Sequence, residues 1–155
     1  MLALDRLRVV RNLFALMNAT TATKLTLPAL TVRLVPGRGR GIFASQDIKK
    51  GTRLLSDPIV FVPKVESQYT DPCVVGRYVF EWNDDGDLCV VFGLGSLINH
   101  GLPENVRLDS NEEERTMDFY ALTDIAAGEE LVYDYGHDAQ ELATYYGIPL
   151  ADGRG

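Results

Sequence analysis

The pattern of apolar and polar positions changes character near residue 30. Before it, Leu7, Val10, Leu13, Phe14 and Met17 recur at helical spacing on a segment that carries several arginines. From Leu30 onward the apolar residues come in short β-like runs, broken every few positions by Gly, Pro, Asn or Asp. Leu30–Val35 alternates, Pro36–Gly41 turns and Ile42–Ser45 resumes. Asp47–Gly51 reads as a turn before Thr52–Leu55, and Pro58–Val62 is a further extended run. Tyr78–Trp82 and Leu88–Phe92 flank Asn83-Asp84-Asp85-Gly86-Asp87, a composition typical of a hairpin loop. Asn105–Asp109 and Thr116–Leu122 are separated by the polar stretch Ser110–Arg115, and Leu131–Tyr135 follows a turn at Ala127-Gly128. A short helix is predicted over Asp138–Tyr146, stopped by Gly147 and Pro149. The pattern therefore predicts eight or nine short strands with little helix. That is a mostly-β domain of irregular topology, with short helices near its two ends.

Composition adds little to this picture. A chain of 155 residues with 46% hydrophobic and 24% charged residues is expected to form one globular domain with a real core. No apolar run approaches the roughly 18 residues of a membrane span. Residues 1–29 are arginine-rich and poor in acids, which fits either an ordinary leading helix or an organellar transit peptide. Two cysteines, Cys73 and Cys89, and two histidines form no zinc-type spacing, so no metal is expected and a reducing compartment is the simpler assumption. The compartment itself is left open.

Charge is more informative. The net charge of −7 divides unevenly, with ten Lys/Arg against two Asp/Glu up to Arg53 (+8) and five against twenty beyond it (−15). An acidic majority argues against a general nucleic-acid binder and against RNA contact by the Arg38-Gly39-Arg40 turn. It suits a cationic protein partner, although a merely solvated surface has the same signature.

Three segments carry candidate chemistry. Gly37-Arg38-Gly39-Arg40-Gly41 allows a ligand close to the backbone, but alone it is an ordinary glycine turn. Asn99-His100, set between glycines after an apolar run, offers an amide and an imidazole. Tyr133-Asp134-Tyr135-Gly136 puts two phenols on one face of an extended segment, enough to line a narrow aromatic slot.

The order of these segments resembles the SET domain. A glycine turn leads to Ile42-Phe43-Ala44, then Leu97-Ile98-Asn99-His100, then Asp124-Ile125-Ala126-Ala127-Gly128-Glu129-Glu130-Leu131-Val132-Tyr133-Asp134-Tyr135-Gly136. The resemblance runs from Leu30 to Gly136, leaving 1–29 as a leader and 137–155 as a flanking segment. It implies a β-clip-like fold in which the Asn-His and final Tyr segments form a pseudoknot. It implies a protein-lysine methyltransferase that uses S-adenosylmethionine, with the cofactor and a histone or non-histone lysine substrate on opposite faces of a channel. Arg40, Gly41, Asn99, His100 and Tyr135 would hold the cofactor, and Tyr135 would be the catalytic tyrosine. Tyr133 stands at the position that governs how many methyl groups fit, which implies mainly monomethyl-lysine with some dimethyl-lysine.

Two departures bear on activity. Where many members read Asn-His-Ser-Cys-x-Pro-Asn, this chain has Asn99-His100-Gly101-Leu102-Pro103-Glu104-Asn105, and Ser96 replaces a common arginine. No cysteine-rich, zinc-binding segment follows Gly136, so Tyr145 or Tyr146 is expected to close the lysine channel. The altered motif leaves a second reading, a catalytically silent SET-like module that binds peptides. No direct nucleic-acid or membrane partner is expected.

Overall fold

In the computed structural model, residues 30–70 and 72–147 are described, so the predicted leader helix over residues 1–29, residue 71 and the last eight residues fall outside the account below. Nine strands form two sheets. The first has the order β1-β2-β9-β6, built from β1 (Leu30–Val35), β2 (Gly39–Ala44), β9 (Glu130–Tyr133) and β6 (Asn99–His100). The second has the order β4-β5-β3-β8-β7, built from β4 (Val79–Glu81), β5 (Leu88–Val91), β3 (Arg53–Val62), β8 (Thr116–Ala121) and β7 (Val106–Asn111).

Alternation in the sequence explains which faces are buried. Met117, Phe119 and Ala121 of β8 and Leu55 of β3 turn inward, joined by Ile42, Ala44, Leu54, Ile98, Val106, Ile125 and Leu131 in one core. Each large side chain removed from water contributes roughly 1.5–3 kcal/mol. Asp118, also buried, points the other way from its strand neighbours. It accepts from Ser56 Oγ at 2.5 Å and Thr116 Oγ1 at 3.0 Å, and Arg53 lies 3.6 Å away.

The two runs read as Thr52–Leu55 and Pro58–Val62 are one ten-residue strand, β3. Its first half pairs with β8 and its second half with β5, and Pro58 sits at the handover. Proline breaks the sequence pattern without breaking an extended backbone, because a strand can change partners where the N–H is missing. The segment Leu131–Tyr135 also differs from expectation, for the strand stops at Tyr133. The Tyr135 N–H goes to His100 Nδ1 at 3.3 Å rather than to a ladder carbonyl, and Gly136 at φ 73° turns the chain away. The C-terminal helix is present. Asp138 caps a short α-turn, Ala139–Glu141, which widens into a π-turn over Leu142–Tyr146 and ends at left-handed Gly147.

The segment after Pro63, for which the hydrophobic pattern predicted no element, coils through helical turns at Lys64–Glu66, Ser67–Thr70 and Val74–Tyr78. None of its turns has a buried residue, and it delivers Arg77 and Tyr78 to the edge of β4.

Candidate active site

The glycine turn, the Asn-His segment and the C-terminal tyrosines surround one cavity of 460 Å³. Small-molecule sites commonly occupy roughly 300–1,000 Å³. Arg38, Gly39 and Arg40 form one wall, Ser96 to Asn99 another, and Tyr133, Tyr135 and Tyr146 the end. One carboxylate organises the polar side. Glu130 accepts from Arg38 Nη2 at 2.8 Å through Oε2 and from Asn99 Nδ2 at 2.8 Å through Oε1. Asn99 Nδ2 also donates to Arg40 O at 3.2 Å, and Arg38 Nη1 donates to His100 O at 3.1 Å. With its NH2 end committed, Asn99 has its carbonyl oxygen left as the acceptor end. Gly41 makes this arrangement possible. A Cβ there would stand 2.6 Å from Glu130 Oε1 and 2.8 Å from Asn99 Nδ2.

Asn99 and His100 are held in place by their neighbours. β6 runs parallel to β9, with Asn99 opposite Val132 and His100 opposite Tyr133. Parallel pairing of segments so far apart in sequence needs a clasp, and Asn105 supplies it. Its backbone N–H donates to Val132 O at 3.1 Å, its Oδ1 accepts from Val132 N at 2.9 Å and its Nδ2 donates to Glu130 O at 2.8 Å. On the other side, Asp57 Oδ2 accepts from Gly95 N at 2.7 Å and holds the turn that feeds Ile98. Burial raises the Asp57 carboxyl above its ordinary value.

The tyrosines pack as a cluster. Tyr133 and Tyr135 have ring centroids 4.7 Å apart, and Tyr146 stands edge-on to Tyr135 at 5.0 Å. The Tyr135 hydroxyl donates to Ile98 O at 3.0 Å. Burial pushes the Tyr135 phenol up to about 12, and burial holds Tyr133 well above and Tyr146 above the usual phenol value. All three are neutral near pH 7. Neutral phenols orient and polarise a reactant but are poor bases.

A second, wider cavity of 1050 Å³ lies beyond this cluster. Pro72, Val74, Leu88 and Leu108 give it an apolar floor, and Glu81, Asp134 and Glu141 give it an acidic edge. The two cavities share Arg77, Val79, Phe80, Tyr133, Tyr135 and Tyr146, so the aromatic cluster is the partition between them.

Of the residues singled out from sequence, Arg40, Asn99, Tyr133, Tyr135 and Tyr146 line the first cavity. Gly41 and His100 stand behind its wall: Gly41 backs Asn99 and Glu130, and the His100 ring meets Tyr135 edge-on at 5.4 Å. The side chain of Tyr145 lies outside the described residues. Sequence reasoning passed over Arg38, Glu130, Tyr78, Phe80 and Arg77. Glu130 was visible only as one of two adjacent acids where β9 begins, and nothing in the pattern marked the helical coil that carries Arg77 and Tyr78. Among the described residues, no group of three His, Cys, Asp or Glu side chains is placed to hold a metal ion.

The SET domain family matches residues 39–136, the stretch that contains the end of the glycine turn, Asn99-His100 with the Asn105 clasp, and Tyr133 and Tyr135 of the partition. The chain belongs to the SET-domain family. SET methyltransferases use S-adenosylmethionine to methylate protein lysines, and the relatives of this SET domain agree. It is 31% identical over 108 residues to a Schizosaccharomyces pombe histone-lysine N-methyltransferase specific for H3 lysine-37, covering 69% of this chain and 73% of that one. It is 30% identical over 120 residues to the Danio rerio N-lysine methyltransferase KMT5A-A, of which it spans 35%. A solved Plasmodium falciparum structure assigned as a histone methyltransferase superposes with a TM-score of 0.55 at 22% identity, covering 70% of this chain and 94% of that one. A Polycomb repressive complex 2 bound to S-adenosylmethionine gives 0.59 at 24% identity, covering 72% of this chain and 15% of that one. The solved structures speak for the fold.

Proposed function

We propose that this SET domain binds S-adenosylmethionine in the 460 Å³ cavity and receives a protein lysine from the wider one, leaving mainly monomethyl-lysine. The observation that carries this reading is the shared aromatic partition. Two cavities that meet only across Tyr133, Tyr135, Tyr146 and their neighbours are what transfer between a cofactor and a bulky peptide on opposite faces requires.

The residues of the first cavity fit the cofactor. Arg38 and Arg40 suit a carboxylate, the Asn99 carbonyl oxygen suits an ammonium, and Leu97, Ile98 and Phe80 give apolar surface for the rest. Glu130 keeps both Arg38 and Asn99 in one orientation before any ligand arrives. When bound, S-adenosylmethionine supplies a methyl group on a positively charged sulfur. The protein's part is to deliver a neutral amine. Lysine titrates near 10.4 in water, and an aromatic partition that excludes water disfavours its charged form. Tyr135, with its O–H hydrogen-bonded to Ile98 O, has oxygen lone pairs free for the reacting centre. The Tyr133 hydroxyl takes up room that further methyl groups would need. The altered stretch after His100 still clasps β9 through Asn105, which supports an enzyme over a silent module.

The test is methylation of a protein extract with labelled cofactor, followed by mass spectrometry of the labelled lysines. Wild type is expected to leave monomethyl-lysine, and Tyr133→Phe to shift the product toward di- and trimethyl-lysine. Efficient trimethylation by the wild type would overturn the monomethyl assignment. Cofactor binding without transfer would point to the silent module.

A further inference from the structure

Glu141, His137 and Tyr146 form a line at the edge where the two cavities meet. Glu141 Oε2 lies 3.4 Å from His137 Nδ1, and His137 Nε2 lies 3.3 Å from the Tyr146 hydroxyl. The Tyr146 ring in turn stands edge-on to Tyr135. Local structure builds this line from consecutive devices. Gly136, at φ 73°, swings the chain out of β9 and leaves His137 immediately before the helix cap at Asp138. Glu141 sits on the first turn, where the same Oε2 also accepts from Asp138 N at 3.0 Å. The π-turn that follows brings Tyr146 back over Tyr135.

The chemistry of the line is directional. A carboxylate beside Nδ1 favours the tautomer with its proton on that nitrogen, which leaves Nε2 as an acceptor. The Tyr146 hydroxyl must then be the donor. With its O–H committed as a hydrogen-bond donor to the imidazole, its oxygen has only lone pairs to turn toward the channel. Tyr135 is in the same state, since its hydroxyl donates to Ile98 O.

We infer that His137, oriented by Glu141, is a positioning residue that fixes the Tyr146 hydroxyl as a hydrogen-bond acceptor facing the substrate amine. The inference rests on the lysine-channel reading above and adds a component to it. Two phenol oxygens presented as acceptors hold an amine by its N–H groups, so its lone pair can point at the methyl. The arrangement is a side-chain relay, Glu141 to His137 to Tyr146, and neither of its first two members lines the cofactor cavity.

Two measurements on the full chain test it. With only two histidines present, 15N labelling of histidine resolves both rings by NMR, and His137→Gln assigns them. His137 is expected as the Nδ1–H tautomer, and Glu141→Gln is expected to shift it toward Nε2–H while keeping the helix cap, which glutamine also makes. In the labelled-extract assay, His137→Leu is expected to slow transfer about tenfold at unchanged cofactor affinity, the effect of losing one hydrogen bond in the reacting geometry. His137→Gln, whose amide oxygen can accept from Tyr146, should restore most of the rate. Tyr146→Phe should reproduce the loss, and adding His137→Leu to it should cost little more. An Nε2–H tautomer in the wild type, losses that add, or a His137→Leu rate within about twofold of wild type would each overturn the inference. If wild type transfers no methyl group at all, the functional reading fails, and the tautomer result still decides the relay. If His137→Leu does not fold, Glu141→Gln and His137→Gln carry the test.

Discussion

At the scale of single residues, the sequence pointed to the tyrosines and the structure assigns them different surroundings. Tyr133 is half-buried against Phe80, its ring stacked at 5.8 Å, whereas Tyr135 is tied by its hydroxyl to Ile98 and by its backbone to His100. Removing the Tyr135 hydroxyl is expected to lower the turnover rate about 100-fold or more, the usual cost of one preorganised group at a reacting centre, with cofactor affinity nearly unchanged. Kinetics of Tyr135→Phe against a labelled substrate check this. The partly buried phenols also predict an alkaline limit. An unfolded tyrosine titrates near pH 10, and Tyr135 in the folded protein at about 12. The stability that depends on the neutral phenol is therefore complete below about pH 10 and is lost as pH rises toward 12. Urea unfolding across that range should show the fall, and a smaller one in Tyr135→Phe.

Among the elements, β6 and β9 matter most, because a two-residue parallel strand has too few ladder bonds to hold itself. Asn105 makes up the shortfall from a position that is 5% exposed. Asn105→Ala leaves the Val132 N–H and the Glu130 carbonyl of β9 without their side-chain partner, so unfolding free energy should drop by about 2–4 kcal/mol in urea titrations. Cofactor affinity should fall with it, since Asn99 loses its register. Gly101 belongs to the same clasp. A Cβ at this position would meet the Cβ of Val132 at 2.8 Å, so glycine lets the two segments approach closely.

Over the whole molecule, an aromatic line connects the core to the partition. Phe119, fully buried in β8, meets Phe80 edge-on at 6.3 Å; Phe80 stacks on Tyr133; Tyr133 meets Tyr135. Phe80 thus couples the five-stranded sheet to the site held by the four-stranded one. Phe80→Leu should cost about 1–2 kcal/mol of stability, as an imperfect core replacement does. By freeing Tyr133 it should also raise the share of dimethylated product, which mass spectrometry reads directly. A loss of stability with an unchanged product ratio would show that Tyr133 is held by other neighbours.

Much of this was legible in one dimension because its causes are local. Alternating apolar residues, glycine turns and the Asn/Asp/Gly loop at residues 83–87 determine strands and hairpins within a few positions of themselves. Asp138, Glu141 and Gly147 likewise mark a helix by capping chemistry that spans a single turn. The ordered motifs Asn99-His100 and Tyr133-Asp134-Tyr135 identified the family for the same reason, being short and contiguous. What tertiary structure alone decided are relations between distant segments. Glu130 joins Arg38 to Asn99, residues 61 positions apart in sequence. The coil after Pro63 places Tyr78 at the wall of the first cavity and Arg77 at a partition otherwise made by Val79 and residues beyond it. No periodicity encodes such pairings, because they arise only when two sheets close on a shared core and bring together side chains whose own neighbourhoods carry no signal of one another.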